Sequence, residues 1–194
     1  MSTDASGDLA VSDQNHVSLF APGATQPYLD LALPERSIGI GGVTFDEYGN
    51  LYVAYLGYYD TTGIMEYAPG SSNPTRSFLV PGNGQEAASV LRFDEAGNLY
   101  ALFPTCNLCG PHPSILVFAP NGTKPIRTIT KGLENFKGYL SMAVDAAGDI
   151  FVANDGNDST GGSIAVYSPN QSKPRRVIRN GITNPAFLAL TPGE

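Results

Sequence analysis

The residue types in this sequence best able to do chemistry gather in three short stretches. The first, CNLCGPH, places Cys106, Cys109 and His112 within seven residues. Zinc takes four ligands, commonly a cysteine pair at this C-x-x-C spacing with further Cys or His, so the stretch offers three. His16 is the candidate fourth, if its own loop bends over to meet them. The same pair also reads as a local disulfide of an oxidising compartment, as two reduced thiols in a loop stiffened by Pro104, Pro111 and Pro113, or as a redox couple. A redox couple of thioredoxin type needs a helix N-terminus to lower a thiol pKa, and the residues on either side read as strands. The second stretch, NDGNDSTGG, collects Asp155, Asn157 and Asp158, oxygen ligands of the kind calcium prefers, without the spacing of an EF-hand. Asx-rich loops are equally good turn formers. The third, YLGYYD, crowds Tyr55, Tyr58 and Tyr59 against Asp60. Exposed tyrosines present a flat apolar face with a polar tip, suited to sugars or partner proteins, while alternate tyrosines also pack between sheets.

A repeat positions all three stretches. DASGDLAV at Asp4, DEYGNLYV at Asp46, DEAGNLYA at Asp94 and DAAGDIFV at Asp145 share one pattern and lie 42, 48 and 51 residues apart. Each is followed by VSLFAPG, IMEYAPG, ILVFAPN or IAVYSPN, and then by Pro27, Pro74, Pro125 or Pro174 opening a short β-prone run. Every unit thus reads as four strands, A to D, with the Asp-x-x-Gly turn joining A to B. The glycine supplies a positive φ, and the Asp and Asn bond nearby backbone, which makes these residues turn chemistry rather than catalysis. Arg76, Arg127, Arg175 and Arg176 fall on strand D, where charge guards an exposed edge against pairing with another chain.

Four-stranded units at this period are β-propeller blades. The expectation is one all-β domain over residues 1–194, a β-propeller of four four-stranded blades, with repeats near 4–45, 46–93, 94–144 and 145–194. AFLALTPGE, from Ala186, resembles a strand A without its partners, and the chain opens with strands B, C and D, so the two termini are expected to share one blade.

The D-x-x-G-N-L-Y-V-A hairpin, the I-x-V-(Tyr/Phe)-A-P-G run and the proline-initiated strand resemble bacterial propeller repeats of NHL type, kin to gluconolactonase-like and streptogramin-lyase-like propellers. The resemblance covers essentially the whole chain. It implies the fold and no single function, because such repeats occur in enzymes, binding proteins and surface proteins alike. Propellers of this class usually close with six or seven blades. Four blades therefore close as a small ring, form a segment of a larger propeller, or combine as a homodimer whose two copies complete one larger ring.

Length variation points to where recognition would occur. From the repeat Asp to the strand C aromatic the spacing is 16, 21, 24 and 22 residues, and from that aromatic to the next Asp it is 26, 27 and 27. The B–C loops carry the variation, and they emerge with the D–A loops on one end of the blades. Variable loops on a rigid scaffold are where binding usually resides. All three chemical stretches lie in B–C loops, and so does His16.

Composition excludes several classes. A net charge of −7 repels a phosphate backbone, so nucleic acid is not an expected partner. No run approaches the roughly 18 apolar residues of a membrane span, and MSTDASGD has neither part of a signal peptide. A lactonase reading would draw Asn154, Asp155 and Asp13 onto one divalent ion, and a lyase reading would nominate His16 or His112 as base. No Ser/His/Asp set, phosphate loop or cofactor fingerprint is present. The expected function is a non-catalytic recognition scaffold. It would bind a protein, small-molecule or carbohydrate ligand through Tyr55, Tyr58, Tyr59, Asp60, Asn154 and Asp155, without an obligate cofactor. Zinc and calcium are the candidate metals, and the expected location is extracellular or periplasmic. The alternatives are a metal-dependent hydrolase or lyase and a structural segment of a larger extracellular protein.

Overall fold

The repeat turns close as their residues dictate. In the second unit the Asp46 carboxylate accepts the backbone N–H of Tyr48 and of Asn50, each at 2.9 Å, and the Asn50 side-chain amide at 2.9 Å. Gly49, at φ 80°, makes the reversal that a Cβ would hinder. Asp94 holds Asn98, Asp145 holds Asp149 and Asp4 holds Asp8 in the same way.

The computed structural model describes residues 1–13, 15–33, 37–58, 61–80, 87–104, 113–134, 140–155 and 161–190. Among these every regular element is a strand. The first sheet holds β1 (Ser2–Thr3), β2 (Leu9–Ser12), β3 (Val17–Phe20) and β4 (Leu29–Asp30), and the second β5 (Ser37–Phe45), β6 (Leu51–Gly57), β7 (Thr61–Tyr67) and β8 (Arg76–Leu79). The third holds β9 (Val90–Phe93), β10 (Leu99–Phe103), β11 (Ser114–Phe118) and β12 (Pro125–Ile129), and the fourth β13 (Leu140–Val144), β14 (Ile150–Asn154), β15 (Ser163–Tyr167) and β16 (Arg176–Ile178). Each sheet is antiparallel with its strands in chain order, so the chain is an all-β assembly of four four-stranded blades.

Among the described residues the two termini do not share one blade as expected. Ser2 and Thr3 pair with Ala10 and Leu9 and complete the first sheet themselves. The C-terminal segment instead lies along the fourth blade, where the Leu188 N–H reaches the Ser141 hydroxyl at 3.1 Å and Ile182 and Leu188 pack near Val166. AFLALTP alternates like a strand, whereas MST carries no such pattern. Two residues are nonetheless enough to hold the inner edge of the small first sheet.

Blades meet face to face through three joints. Ala10, Val17 and Leu19 of the first blade pack on Leu51, Val53, Met65 and Tyr67 of the second. Ala54, Ile64 and Phe78 pack on Leu99, Ala101, Leu116 and Phe118, and Tyr100, Ile115 and Ile129 on Ile150, Val152, Ala165 and Tyr167. The central strands of the second and third blades are therefore covered on both sides, and alternation disappears from them. At the second joint the approach is close enough that a Cβ on Gly41 would overlap the Ala88 carbonyl oxygen. The inner strands follow one another as β1 and β2 on β5, β5 on β9, and β9 on β13, and among the described residues no joint of comparable extent returns β13 to the first blade.

Two of the strand D arginines, Arg76 and Arg127, are ties between blades as well as edge residues. The Arg76 guanidinium donates to the Asn121 carbonyl in the next blade at 2.7 Å and pairs with Glu66 at 2.6 Å. Arg127 donates to the Gln171 carbonyl at 3.0 Å. Tyrosine hydroxyls tie in the opposite direction: Tyr67 donates to the Ala32 carbonyl at 3.0 Å and Tyr167 to the Lys131 carbonyl at 2.8 Å, both in the preceding blade.

Candidate functional site

Strands A to D present two ends to the surroundings, the B–C/D–A loop end and the A–B turn end. At the loop end the residues selected from sequence separate by burial. Tyr55 sits inside the first joint, 8% exposed, with its hydroxyl 3.5 Å from the Ser77 hydroxyl. Its ring lies over Gly63, where a Cβ would come within 2.6 Å of it. Tyr58 follows directly after β6 and is 54% exposed, while its carbonyl accepts the Thr61 hydroxyl at 2.9 Å. Tyr59 and Asp60 lie outside the described residues.

Asn154 ends β14 and is 1% exposed. Its amide nitrogen donates to the Gly132 carbonyl at 3.0 Å and the Ser163 hydroxyl at 3.2 Å, and its oxygen accepts the Glu134 N–H at 3.0 Å. The side chain clamps the connection that follows the third blade to the end of the fourth. Such a saturated buried amide is a brace. Asp155, beside it, is also buried and interacts with its surroundings. Asn157 and Asp158, the other members of the calcium candidate, are outside the described residues.

His16 is exposed. Its Nδ1 lies 3.3 Å from Oδ1 of Asp13, which also accepts the N–H of Asn15 at 2.9 Å and of His16 at 2.8 Å. These backbone bonds, that of Asn15 foremost, hold the Asp13 carboxyl below its ordinary value. Histidine and aspartate thus form one local turn. Cys106, Cys109 and His112, the zinc and disulfide candidates, lie outside the described residues. Among the described residues no group of three or more His, Cys, Asp or Glu is placed to hold a metal ion.

Sequence reading missed two features. At the loop end, Ser37 opens β5 and Ser114 opens β11, and each buries a hydroxyl that has no hydrogen-bond partner among the described residues. A buried hydroxyl left unpaired costs about 1–3 kcal/mol, and neither position breaks the strand pattern that would draw attention to it. At the turn end, a cavity of about 780 Å³ opens between the turns of the second, third and fourth blades, lined in part by Asp46, Tyr48, Tyr52, Phe93, Asp94 and Asp145. Tyr52 and Phe93 meet edge to face there, with ring centroids 4.9 Å apart. Burial and the hydrogen bond to Asp94 push the nearby Tyr100 hydroxyl up to about 12. Glu47 and Glu95 also line this cavity; the acidic residue after the turn Asp in DEYGN and DEAGN was its sequence signal. The cavity has ligand dimensions, and its carboxylates disfavour an anion.

No known protein family matches the chain, and no curated protein does. Solved structures do. A crystallised protein of unknown function from Bacteroides caccae superposes with a TM-score of 0.65 at 16% identity, over 92% of this chain and 59% of that one. Hydrazine synthase of Kuenenia stuttgartiensis gives 0.67 at 13% identity, over 91% and 47%. A chain of the mitotic checkpoint complex gives 0.67 at 13%, over 94% and 52%. At such identities the likeness is one of fold. The chain spans about half the length of the solved chains it matches.

Proposed function

We propose that the chain is a non-catalytic recognition scaffold of NHL-like type whose loop end engages a protein or carbohydrate. The observation that carries this reading is the division at the end of β6: the strand is buried up to Gly57 save for a partly covered Leu56, and the next residue, Tyr58, stands clear of the blade. A rigid strand ending in an exposed tyrosine supplies contact area at small entropic cost. The unpaired hydroxyls of Ser37 and Ser114 at the same end add support, since a polar ligand atom or an ordered water would satisfy them. Asn154, one of the residues a lactonase reading would draw onto a divalent ion, is committed to three structural hydrogen bonds.

The test is binding of the chain to panels of glycans and peptides, repeated with Tyr58→Ala and with Tyr48→Ala. Loss on Tyr58→Ala at an unchanged melting temperature supports the loop end. Loss confined to Tyr48→Ala moves the ligand to the turn-end cavity, and no binding by the parent chain overturns the proposal. The proposed location is extracellular or periplasmic, with Cys106 and Cys109 joined. Mass spectrometry with and without reductant tests that pairing as a difference of two hydrogens. Stoichiometric zinc or calcium in the native spectrum would favour the hydrolase or lyase alternative instead.

A further inference from the structure

The registers make the four blades comparable residue by residue. Leu9 pairs with Phe20 as Leu51 does with Tyr67, Leu99 with Phe118 and Ile150 with Tyr167. In the second, third and fourth blades these residues are at most 3% exposed, each covered by the blade before it. In the first blade Leu9, Phe20 and the neighbouring Val11 are all partly exposed. The same face, built from the same kinds of residue, lacks its cover.

The far side of the fourth blade is the complement. Phe151 takes the place of Tyr52 and Tyr100, and Ile178 that of Phe78 and Ile129, yet both are only partly covered. The C-terminal segment fills part of this surface through Ile182 and Leu188. At the second joint Val80, Ala88 and Leu91 do the same, and strands B and C of the following blade then cover the rest. Arg176 pairs with Val166 as Arg76 does with Glu66 and Arg127 with Val117. Its two counterparts reach a carbonyl in the next blade; Arg176 is exposed.

We propose that a second copy of this chain docks here, the fourth blade of each copy seated against the first blade of the other, so that two chains complete one eight-blade ring. The occupant follows from continuity with the joints already inside the chain. The surface left open on the fourth blade is the kind that three joints match to an incoming face, and among the described residues the incoming face left open is that of the first blade. Arg176 of one copy then donates to the turn containing Gly23 of the other, the counterpart of the turn containing Asn121. A two-fold axis along the channel relates the two joints, and each is a contact between unlike surfaces that closes after two copies. This inference does not depend on what the loop end binds.

The experiment is native mass spectrometry and light scattering on the intact chain from about 1 to 100 μM. The expected species is a closed dimer, twice the 20.4 kDa of the chain. Phe20→Glu and Arg176→Glu should each weaken dimerisation roughly a hundredfold, since each places a charge in both joints where an apolar side chain or a donor is required. Circular dichroism checks that the blades remain folded, and Arg176, being exposed, is the safer of the two. Mixing the two variants should restore a dimer, because one of its two joints then contains no substitution. A parent chain that stays monomeric at 100 μM, a dimer indifferent to both substitutions, growth into open-ended oligomers, or failure of the mixture to associate would each overturn the proposal.

Discussion

Phe20 and Phe118 are the same residue at the same strand position in two blades, one partly open to solvent and the other 1% exposed. Nothing in their own sheets accounts for the difference. A blade of four short strands has two apolar faces and cannot cover either, so burial is something each blade receives from its neighbour. Stability in such an array belongs to the joints as much as to the repeats. The loop end shows the same division on a smaller scale: Asn154 braces two blades, and Tyr58, just beyond the end of a strand B, is largely exposed.

The largest effect should come from the joint itself. Phe118→Ala should cost about 3–5 kcal/mol in urea denaturation. Phe20→Ala, measured where the chain is dilute and monomeric, should cost less than about 1 kcal/mol, as partly exposed positions do. Equal costs would break the comparison. Next, Asn154→Ala should lose about 1–3 kcal/mol by leaving its three partners, the buried Ser163 hydroxyl among them, without the side chain they bond, whereas Tyr58→Ala should stay within about 0.5 kcal/mol of the parent.

Tyr67→Phe should remove about 1 kcal/mol, turning the first joint into one of the hydroxyl-free kind that Phe118 makes. Burial pushes the Tyr67 hydroxyl up to about 12, while an unfolded tyrosine releases its proton near 10. The folded state holds that proton longer, so this contribution is complete below about pH 10 and disappears as pH rises toward 12. Thermal melts between pH 8 and 12 should show a shallower alkaline decline in Tyr67→Phe than in the parent, and identical slopes would remove the hydroxyl from the account. Arg127→Ala should cost below about 1 kcal/mol, as an exposed tie does, and the smallest effect should be that of Arg176→Ala, with no measurable change in the dilute monomer.

The blades were legible in the sequence because turn chemistry is local. Asp46, Gly49 and Asn50 need only one another to close their hairpin, and the register follows from it. The joints were only partly legible. Arg76 and Arg127 were read as guards of an outer edge, because nothing local shows that a guanidinium will meet a carbonyl some 45 residues away. Tyr55 and Asn154 looked available for binding for the same reason: their partners come from other strands and from the preceding blade. The turn-end cavity arises only when three repeat turns are brought side by side. His16 beside Asp13 is the opposite case, two candidate chemical groups satisfied within four residues.

The completion of the first sheet by Ser2 and Thr3 bears on how the chain reaches its fold. With the termini in separate blades, every sheet consists of consecutive strands, and no sheet waits for a distant segment of the chain. Contacts near in sequence form with little loop-closure entropy and favour fast folding. A first blade whose strands end at Asp30 can form while the rest of the chain is still being synthesised, each later blade condensing on the one before it. Refolding should accordingly lack a slow phase in which the two ends must find each other.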